Sequence, residues 1–334
     1  MNSIRKMALG MAVAASALTA EAQQVTNDNI LPEPTRTEAL KTIEDELPIE
    51  SVARTPVVFE NKDLKLKLSG ILFRPRDSKS GEKLKAVIVA GPMHSTKEQP
   101  QSNYAIMLAK EGYATLVYDN SYIGSSEGFP RGLEDPDVKA SDMKYAVSYL
   151  QSLDFIDKDN IAAIGICGSG SYIPYGAKDD SRVKAVVSIV PFTIMDRIVQ
   201  TPDSELVHDR EVYEQTGVAK RINLTAGSPG EAYYLNAKRG ATPNYAYAVS
   251  WSALAWKKFH PTQSIHELKQ PYLVIVGENA FSKNGGLMMY QNSTSAHKEL
   301  HVTKEATHFE MYDGEKYVKE NVQVIKDFLD KYLQ

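Results

Sequence analysis

The segment from Asp157 to Gly170, DKDNIAAIGICGSG, decides the fold of this 334-residue chain. Its apolar run at 161–166 predicts a buried strand, and the small residues after that run predict a tight turn into a helix. Cys167 stands at the turn, with Gly165 two positions before it and Ser169 two positions after it. A nucleophile elbow needs small residues at these two positions, because its strand and helix pack very closely. The segment therefore predicts a thiol nucleophile at the edge of a sheet.

Apolar runs of similar length recur along the chain and are separated by helical patterns. Continuous apolar strands are typical of a parallel sheet that helices cover on both faces. Asp135 and Pro136 start one of the helices with a capping residue and a first-turn proline. The sequence predicts an α/β fold with about eight strands, mostly parallel: an opening antiparallel pair at 56–60 and 64–73, then 86–90, 114–118, 161–166, 184–190, 272–276 and 298–303.

One interval interrupts this alternation of strands and helices. Roughly eighty residues separate the strand at 184–190 from the strand at 272–276, far more than a usual connection in such folds. The interval is rich in tryptophan and tyrosine and predicts a helical cap inserted at about 193–270. The cap would cover the carboxyl ends of the strands, where ligands bind in open α/β sheets. Its aromatic residues are either the core of the cap or, for a few, the lining of a pocket.

The first residues have the three parts of a secretory signal peptide. Arg5 and Lys6 provide positive charge, the apolar stretch at 7–20 is too short to span a bilayer, and Ala20-Glu21-Ala22 fits a signal peptidase site. We expect cleavage after Ala22 and a periplasmic or secreted product with no membrane span after signal removal. Residues 23–52 are then a polar leader segment, and residues 53–334 are the folded domain.

The composition excludes one class of partner. The formal net charge is -4, and the isoelectric point is about 6.0. A nucleic-acid-binding domain is usually basic. We therefore expect a small-molecule substrate and no nucleic acid.

Cys167 is the single cysteine of the chain, so it has no partner for an internal disulfide. At the start of a helix, the helix dipole favours the thiolate over the thiol. Ser169 is a competing nucleophile, because Cys167 and Ser171 flank it at the same spacing. The elbow geometry nevertheless favours Cys167, since Ser169 would lie in the first turn of the helix. A buried, unreactive thiol is the remaining alternative.

His308 follows the last predicted strand on a loop, which places it after the nucleophile in chain order, as in α/β-hydrolases. The amide of Gly168 is one predicted oxyanion donor. The second donor would come from the loop Gly91-Pro92-Met93-His94. Pro92 has no N–H, so we expect Met93 to donate, with His94 as the alternative donor or as a substrate contact.

The group that orients His308 is open at this point. The loop after the strand at 272–276 is the expected place for a carboxylate, and its usual position is occupied by Ala280. Glu278 is the carboxylate available in this loop. Asn279 is an equal alternative, because asparagine can orient a Cys–His pair.

These features together resemble the dienelactone hydrolase-like branch of the α/β-hydrolases in which cysteine is the nucleophile. The similarity covers most of residues 86–334. The resemblance implies hydrolysis of an ester, lactone or thioester through an acyl-enzyme, without a metal or organic cofactor. Cys167 would attack, His308 would move the proton, and Gly168 and Met93 would hold the oxyanion. A peptidase-like amide hydrolase and a catalytically silent binding protein are the alternatives. The motifs that carry the resemblance are Lys97-Glu98-Gln99, Tyr118-Asp119, Gly124-Ser125-Ser126-Glu127-Gly128, Pro130-Arg131, Leu133-Glu134-Asp135-Pro136, Gly165-Ile166-Cys167 and Thr307-His308.

Overall fold

The computed structural model describes residues 23–25, 51–79, 81–194, 200–225, 227–242, 245 and 247–334. The predicted signal peptide at 1–22 and most of the predicted leader lie outside the described residues. Three leader residues, Gln23–Val25, form a short strand, β1.

Eight strands form the main sheet, as the sequence predicts. They are β2 Val52–Asn61, β3 Leu66–Pro75, β4 Leu84–Ala90, β5 Ala114–Tyr118, β6 Ile156–Ile166, β7 Val183–Ile189, β10 Tyr272–Gly277 and β11 Lys298–Thr303. Their spatial order is β11-β10-β7-β6-β4-β5-β3-β2. The pairs β2–β3 and β3–β5 are antiparallel, and the remaining pairs are parallel. This arrangement confirms the expected α/β-hydrolase architecture.

The register of the parallel strands brings their carboxyl ends to one edge of the sheet. Gly165 in β6 pairs with Ala90 in β4 and with Ser188 in β7. Gly277 in β10 pairs with Thr303 in β11. The loops that follow these strands therefore meet at this edge. They carry the residues at 91–94, 167–169, 190–194, 278–282 and 304–308.

Helices pack on both faces of the sheet and bury its apolar side chains in two clusters. Asp135 caps the second helix, since its carboxylate accepts the backbone N–H of Asp137. The last helix has a strongly apolar face that includes Ile325, Phe328 and Leu329, all buried. Both features agree with the sequence prediction. The helices against the sheet are α1 Pro100–Lys110, α2 Pro136–Ser152, α3 Ser169–Ala177, α8 Lys283–Asn292, α9 Glu310–Asp313 and α10 Glu315–Tyr332.

The segment between β7 and β10 contains a small antiparallel sheet as well as helices. Its strand β8, Arg221–Asn223, pairs with β1 on one side and with β9, Ala248–Val249, on the other. Trp256 and Phe192 belong to a third apolar cluster with residues of this segment. The small sheet is a feature that the helical prediction for this interval did not contain. The helices of the segment are α4 Asp203–Thr216, α5 Glu231–Tyr234, α6 Ser252–Trp256 and α7 Pro261–Ser264.

The described part of the chain lacks a membrane-spanning helix and a cluster of metal ligands. It contains no helix that is both long and apolar enough to cross a membrane. It also contains no group of three or more His, Cys, Asp or Glu side chains arranged to hold a metal ion.

Candidate active site

The turn from β6 into α3 is as tight as its sequence predicts. Cys167 has a φ of 56°, a backbone conformation that is uncommon for a residue with a side chain. A Cβ atom at Gly165 would lie 1.9 Å from the carbonyl oxygen of Ser169. The Cys167 amide donates to the carbonyl of Ile189 in β7 at 2.9 Å. A strained nucleophile position, fixed by hydrogen bonds to the neighbouring strand, is the geometry of a nucleophile elbow.

Ser169, the competing nucleophile, occupies a different environment. It begins α3, is buried, and is not among the described residues that line the cavity at the sheet edge. Cys167 does line that cavity. A substrate in the cavity would therefore meet the sulfur of Cys167 and not the hydroxyl of Ser169.

The two amides predicted as oxyanion donors lie side by side at Cys167. The backbone N–H groups of Gly168 and Met93 both hydrogen-bond the Cys167 sulfur. A Cβ atom at Gly168 would lie 3.1 Å from the Met93 nitrogen and 2.4 Å from its Cγ, so glycine lets the two segments approach. Donors that reach the nucleophile from two segments can also reach the oxygen of a carbonyl that it attacks.

The thiol of Cys167 is protonated, which corrects the expectation of a thiolate. Burial raises the pKa of Cys167 to about 11, and the negative charge of Glu134 acts in the same direction. Hydrogen bonds from Tyr312 and from the Gly168 and Met93 amides lower the pKa by less than burial raises it. Desolvation therefore raises the pKa of the Cys167 thiol by more than the dipole of the following helix lowers it.

His308 lies at the same edge and is held by two hydroxyl groups. Its Nδ1 is 2.8 Å from Oγ of Ser282, and its Nε2 is 3.0 Å from the hydroxyl of Tyr312. The ring stacks on Phe281 with centroids 4.2 Å apart. Burial lowers the pKa of His308 to about 3, so the imidazole is neutral. A neutral, oriented imidazole is suited to accept a proton.

The two predicted orienting residues do not contact His308. Glu278 and Asn279 are exposed, and both bind the turn that precedes the histidine. The Glu278 carboxylate accepts the backbone N–H of Glu305 at 2.9 Å, and the Asn279 amide donates to the Glu305 carbonyl at 2.9 Å. The expectation that one of them orients the imidazole is therefore wrong in this structure. They fix the backbone of the loop that carries it.

Ser282 takes the place of the expected carboxylate, and no sequence pattern predicted this. It precedes α8 and is buried. Its hydroxyl also donates to the Val190 carbonyl at 3.3 Å. Val190 has a φ of 39°, which turns the chain directly after β7. A serine in a loop resembles many other serines, so no motif marks it as a partner of His308.

Tyr312 is the second residue that sequence reasoning missed. It lies in α9, four positions after His308, and is fully buried. Its hydroxyl contacts both His308 and the Cys167 sulfur. His308 lies in the turn before this helix, so helical spacing did not mark Tyr312 as its partner.

His94 also lines this cavity. Its backbone N–H donates to Oε2 of Glu134 at 2.6 Å, and its Nδ1 lies 3.0 Å from the same oxygen. The amide is thus already bonded, which removes His94 as the alternative oxyanion donor. The ring packs edge-on against Trp256 at 5.7 Å. Burial lowers the pKa of His94 to about 4, although Glu134 partly opposes the shift.

A cavity of about 170 Å³ joins these groups. Cys167, His308 and His94 line it, together with the end of the oxyanion loop. Of the described residues that line it, none is an aspartate, glutamate, lysine or arginine. The cavity is therefore largely apolar, with the candidate reacting groups as its main polar features. Its other lining residues are Met93, Phe192, Leu224, Thr225, Ser228, Pro229, Gly230, Tyr234, Tyr245, Phe281, Phe309 and Tyr312.

Known proteins resemble this chain along most of its length. The solved structure of the hypothetical protein PA2218 from Pseudomonas aeruginosa has a TM-score of 0.78 at 27% identity, over 86% of this chain and 96% of that one. A thiohydrolase from Eupenicillium brefeldianum is 26% identical over 289 residues, which cover 80% of this chain and 91% of the relative. The structure of the α/β hydrolase GrgF from Penicillium shares the fold with a TM-score of 0.69 at 21% identity, over 84% of this chain and 99% of that one.

One protein family matches most of the chain. The X-Pro dipeptidyl-peptidase (S15) family matches residues 65–310. That range runs from β3 to the loop of His308 and contains the elbow, the oxyanion loop and the cap. The chain has the α/β-hydrolase fold, belongs to the X-Pro dipeptidyl-peptidase (S15) family and is a hydrolase.

Proposed function

We propose that this protein hydrolyses a carboxylic ester, lactone or thioester through an acyl group carried on Cys167. The observation that carries the proposal is the elbow itself. The Cys167 sulfur stands at a strained turn, accepts hydrogen bonds from the Gly168 and Met93 amides, and faces the cavity that His308 also lines. The thiohydrolase among the relatives supports chemistry on an activated acyl group.

The protonated thiol determines how the reaction begins. As the sulfur forms a bond to the substrate carbonyl, its proton leaves toward His308, which acts as general base. The carbonyl oxygen gains the negative charge and is held by the amides of Gly168 and Met93. When the carbon–oxygen or carbon–sulfur bond of the substrate breaks, the leaving group receives that proton. Water then repeats the sequence on the acyl-cysteine and releases the acid.

The cavity indicates the kind of acyl group. Its described lining is aromatic and aliphatic, with Phe192, Leu224, Tyr234, Tyr245 and Phe309 around the sulfur. An acyl group with its own charge would lose hydration there without gaining an opposite charge from these residues. We therefore infer that the acyl group is small, uncharged and apolar. We therefore expect poor hydrolysis of substrates whose acyl group carries a carboxylate.

Amide hydrolysis is the second candidate, and the family description favours it. A dipeptidyl-peptidase must accommodate a peptide amino terminus, which is an ammonium ion at neutral pH. Binding that ion in a buried site requires acceptors, most often carboxylates. The described cavity residues include no carboxylate, so esters and thioesters fit this cavity better. Turnover of an X-Pro dipeptide anilide with no turnover of esters would reverse this ranking.

The site of action and the branch of the superfamily belong to the same proposal. We propose that the protein is exported, cut after Ala22, and acts in the periplasm or outside the cell. Amino-terminal sequencing of the protein from periplasmic and culture fractions tests this, and an intact Met1 in the cytoplasm would contradict it. We also assign it to the dienelactone hydrolase-like branch with a cysteine nucleophile, on the motifs around Cys167 and His308.

The first experiment measures pre-steady-state hydrolysis of p-nitrophenyl esters and an acyl thioester, with intact-mass analysis. Mature wild-type protein is expected to release a burst of leaving group and to carry an acyl adduct. Cys167→Ala should lose both, and Ser169→Ala should keep both. A burst that survives in Cys167→Ala and disappears in Ser169→Ala would contradict the assignment of the nucleophile. A wild-type protein with neither turnover nor adduct would favour the silent binding protein.

A further inference from the structure

We propose that Phe281 selects the leaving group of the substrate, and that this group is an aromatic alcohol or thiol. The inference rests on the proposed function, since a leaving group exists only where an acyl group is transferred to Cys167. The apolar lining around the sulfur concerns the acyl part of the substrate. Phe281 concerns the other part, the one that departs when the acyl-cysteine forms.

Phe281 differs from the other aromatic residues of the cavity in its exposure. Of the described aromatic side chains that line the cavity, it alone is exposed, at 40%. Its ring therefore lies at the mouth of the cavity, where a substrate group can cover it. Covering an apolar ring that solvent otherwise contacts is favourable, because the free energy gained is proportional to the apolar area buried. Phe281 is thus available as a binding surface, unlike an aromatic residue that is packed in the core.

The position of Phe281 beside the base decides which part of the substrate it meets. Its ring stacks on the imidazole of His308, with centroids 4.2 Å apart and an interplanar angle of 26°. In the proposed reaction His308 gives its proton to the leaving oxygen or sulfur, so that atom must lie within hydrogen-bond distance of the imidazole. The substituent on this atom is then next to the ring that covers the imidazole. The acyl chain is a different substituent of the carbonyl carbon and remains on the sulfur.

Phe281 is held at this place by the turn after β10. The amide of Lys283 donates to the carbonyl of Ala280 at 3.0 Å, which closes the turn around Phe281 and Ser282. The Ser282 hydroxyl in turn lies 2.8 Å from Nδ1 of His308. The phenyl ring and the imidazole therefore share one anchored segment, and a leaving group would bind to a preformed surface. A preformed surface strengthens binding, because little conformational freedom is lost when the ligand arrives.

Two neighbouring phenylalanines determine the chemistry that this surface favours. The centroids of Phe192 and Phe309 lie 6.3 and 6.0 Å from that of Phe281, at interplanar angles of 73° and 43°. Aromatic rings prefer offset-stacked or edge-to-face neighbours, and such pairs are stabilised beyond the burial of their area. An aromatic leaving group meets such rings here, whereas an aliphatic group of the same size gains the burial of its area alone. None of the described lining residues is an acid, a lysine or an arginine, so a charged leaving group finds no opposite charge.

Benzyl butyrate and cyclohexylmethyl butyrate form a matched pair of substrates for this test. They share the acyl group, and their leaving groups are primary alcohols of similar size, one aromatic and one aliphatic. Phe281→Leu keeps an apolar side chain and removes the aromatic face. We expect the wild-type protein to prefer the benzyl ester in kcat/KM, and Phe281→Leu to reduce that preference about three- to tenfold. Phe129→Leu is the matched control, because Phe129 is 72% exposed and does not line the cavity. It should keep the wild-type preference.

Deacylation separates leaving-group binding from a role in holding the imidazole. The leaving group has departed before water attacks the butyryl-cysteine, so its contacts with Phe281 do not contribute to this step. Phe281→Leu should therefore slow deacylation less than it slows acylation by benzyl butyrate. Rapid mixing followed by intact-mass analysis measures both rate constants. An equal loss with both esters, together with an equally slow deacylation, would mean that Phe281 positions His308 and does not select the leaving group.

The wild-type protein alone can overturn the proposal if Phe281→Leu does not fold. A wild-type kcat/KM that is equal for the two esters, or higher for the cyclohexylmethyl ester, would contradict it. Phe281→Tyr retains an aromatic ring and should keep the benzyl preference, so a loss of that preference in Phe281→Tyr would also contradict it. A wild-type protein that forms no acyl-cysteine with any ester would contradict the proposed function itself, whereas turnover of both esters with equal kcat/KM contradicts the choice of leaving group alone.

Discussion

His308 and His94 line the same cavity but are held by different kinds of partner. His308 lies between two neutral hydroxyls, Ser282 on Nδ1 and Tyr312 on Nε2. His94 lies 3.0 Å from the Glu134 carboxylate. The first histidine therefore belongs to a neutral network and the second to an ionic one.

The ionic network is buried as deeply as the neutral one. Glu134, His94 and Lys139 are each at most 4% exposed, and the Lys139 ammonium is 3.5 Å from the second Glu134 oxygen. Burial favours the neutral form of Glu134, yet the pKa of its carboxyl is lowered, because His94 and Lys139 stabilise the carboxylate. A carboxylate thus lies close to the site, but it faces the histidine of the oxyanion loop.

The difference indicates distinct roles for two chemically identical side chains. His308 has mobile hydroxyl protons on both sides, which suits an imidazole that gains and loses a proton in each cycle. His94 is fixed by a carboxylate and presents a ring to the cavity, which suits a hydrogen-bond partner for the substrate. Four predictions test this division, from the largest expected effect to the smallest.

The largest effect should come from removing the base. His308→Ala is expected to reduce kcat by about 10³-fold or more, because a general base and its orientation are lost together. His94→Gln should reduce kcat less than about tenfold and act mainly on KM. Steady-state kinetics on the best ester measures both variants. His301→Ala is the control, since His301 pairs with Glu320 near the surface. Equal losses of kcat in His94→Gln and His308→Ala would contradict the proposed difference between their roles.

The second prediction compares the two networks by stability. Glu134→Ala leaves the buried Lys139 charge without its carboxylate and should lower the free energy of unfolding by about 3 kcal/mol or more. Ser282→Ala removes two neutral hydrogen bonds, with His308 and with the Val190 carbonyl, and should cost about 2 kcal/mol. Urea denaturation followed by fluorescence measures both values. A larger loss of unfolding free energy for Ser282→Ala than for Glu134→Ala would contradict the expectation that the ionic network contributes more to stability than the neutral one.

The third prediction concerns acid. Burial lowers the pKa of His308 to about 3 and of His94 to about 4, whereas an unfolded histidine titrates near 6.5. Below about pH 6.5 the unfolded chain therefore binds protons that the folded chain does not, and stability falls as the pH drops toward 4. Replacing either histidine with Gln should make the decline from pH 6.5 to 4 shallower.

The buried Asp142 has the opposite effect on stability as the pH falls. The effect of the histidines is therefore measured by comparing the stability curves of the variants with that of the wild type. Burial raises the pKa of Asp142 to about 6, above the value of about 3.9 in an unfolded chain. The folded state binds the extra proton in this interval, which favours folding as the pH falls toward 4. This contribution is the same in wild type and in both histidine variants. Parallel stability curves for all three proteins would contradict the prediction for the histidines.

The smallest effect is expected at Glu278. Its carboxylate holds the Glu305 amide and does not contact His308, so Glu278→Ala should change kcat/KM less than about threefold and stability by about 1 kcal/mol. Ser282→Ala in the same assay should reduce kcat about tenfold, because His308 loses the partner of Nδ1. A loss of kcat/KM in Glu278→Ala as large as that in His308→Ala would instead support Glu278 as the group that orients His308.

Local patterns determined much of this protein. Continuous apolar runs between helical patterns were sufficient for the eight strands, because buried parallel strands leave that mark on the sequence. The small residues around Cys167 defined the elbow, since steric packing there tolerates little else. The missing N–H of Pro92 directed attention to Met93 as a donor. Each inference depends on neighbours in the chain, and the structure agrees with the predicted strands and with the tight turn at Cys167.

The tertiary structure decided which groups serve each histidine. Ser282 meets His308 from 26 residues away, and Glu134 meets His94 from 40 residues away. The protonation of Cys167 likewise depends on the burial of its sulfur by other segments and, to a smaller extent, on the charge of Glu134. Such contacts follow from how strands and loops are arranged in space, and residue spacing does not record them. Hydrogen bonds and desolvation act between groups that are close in space, and these groups can be far apart in the sequence. The partners of the site residues are therefore defined only by the folded chain.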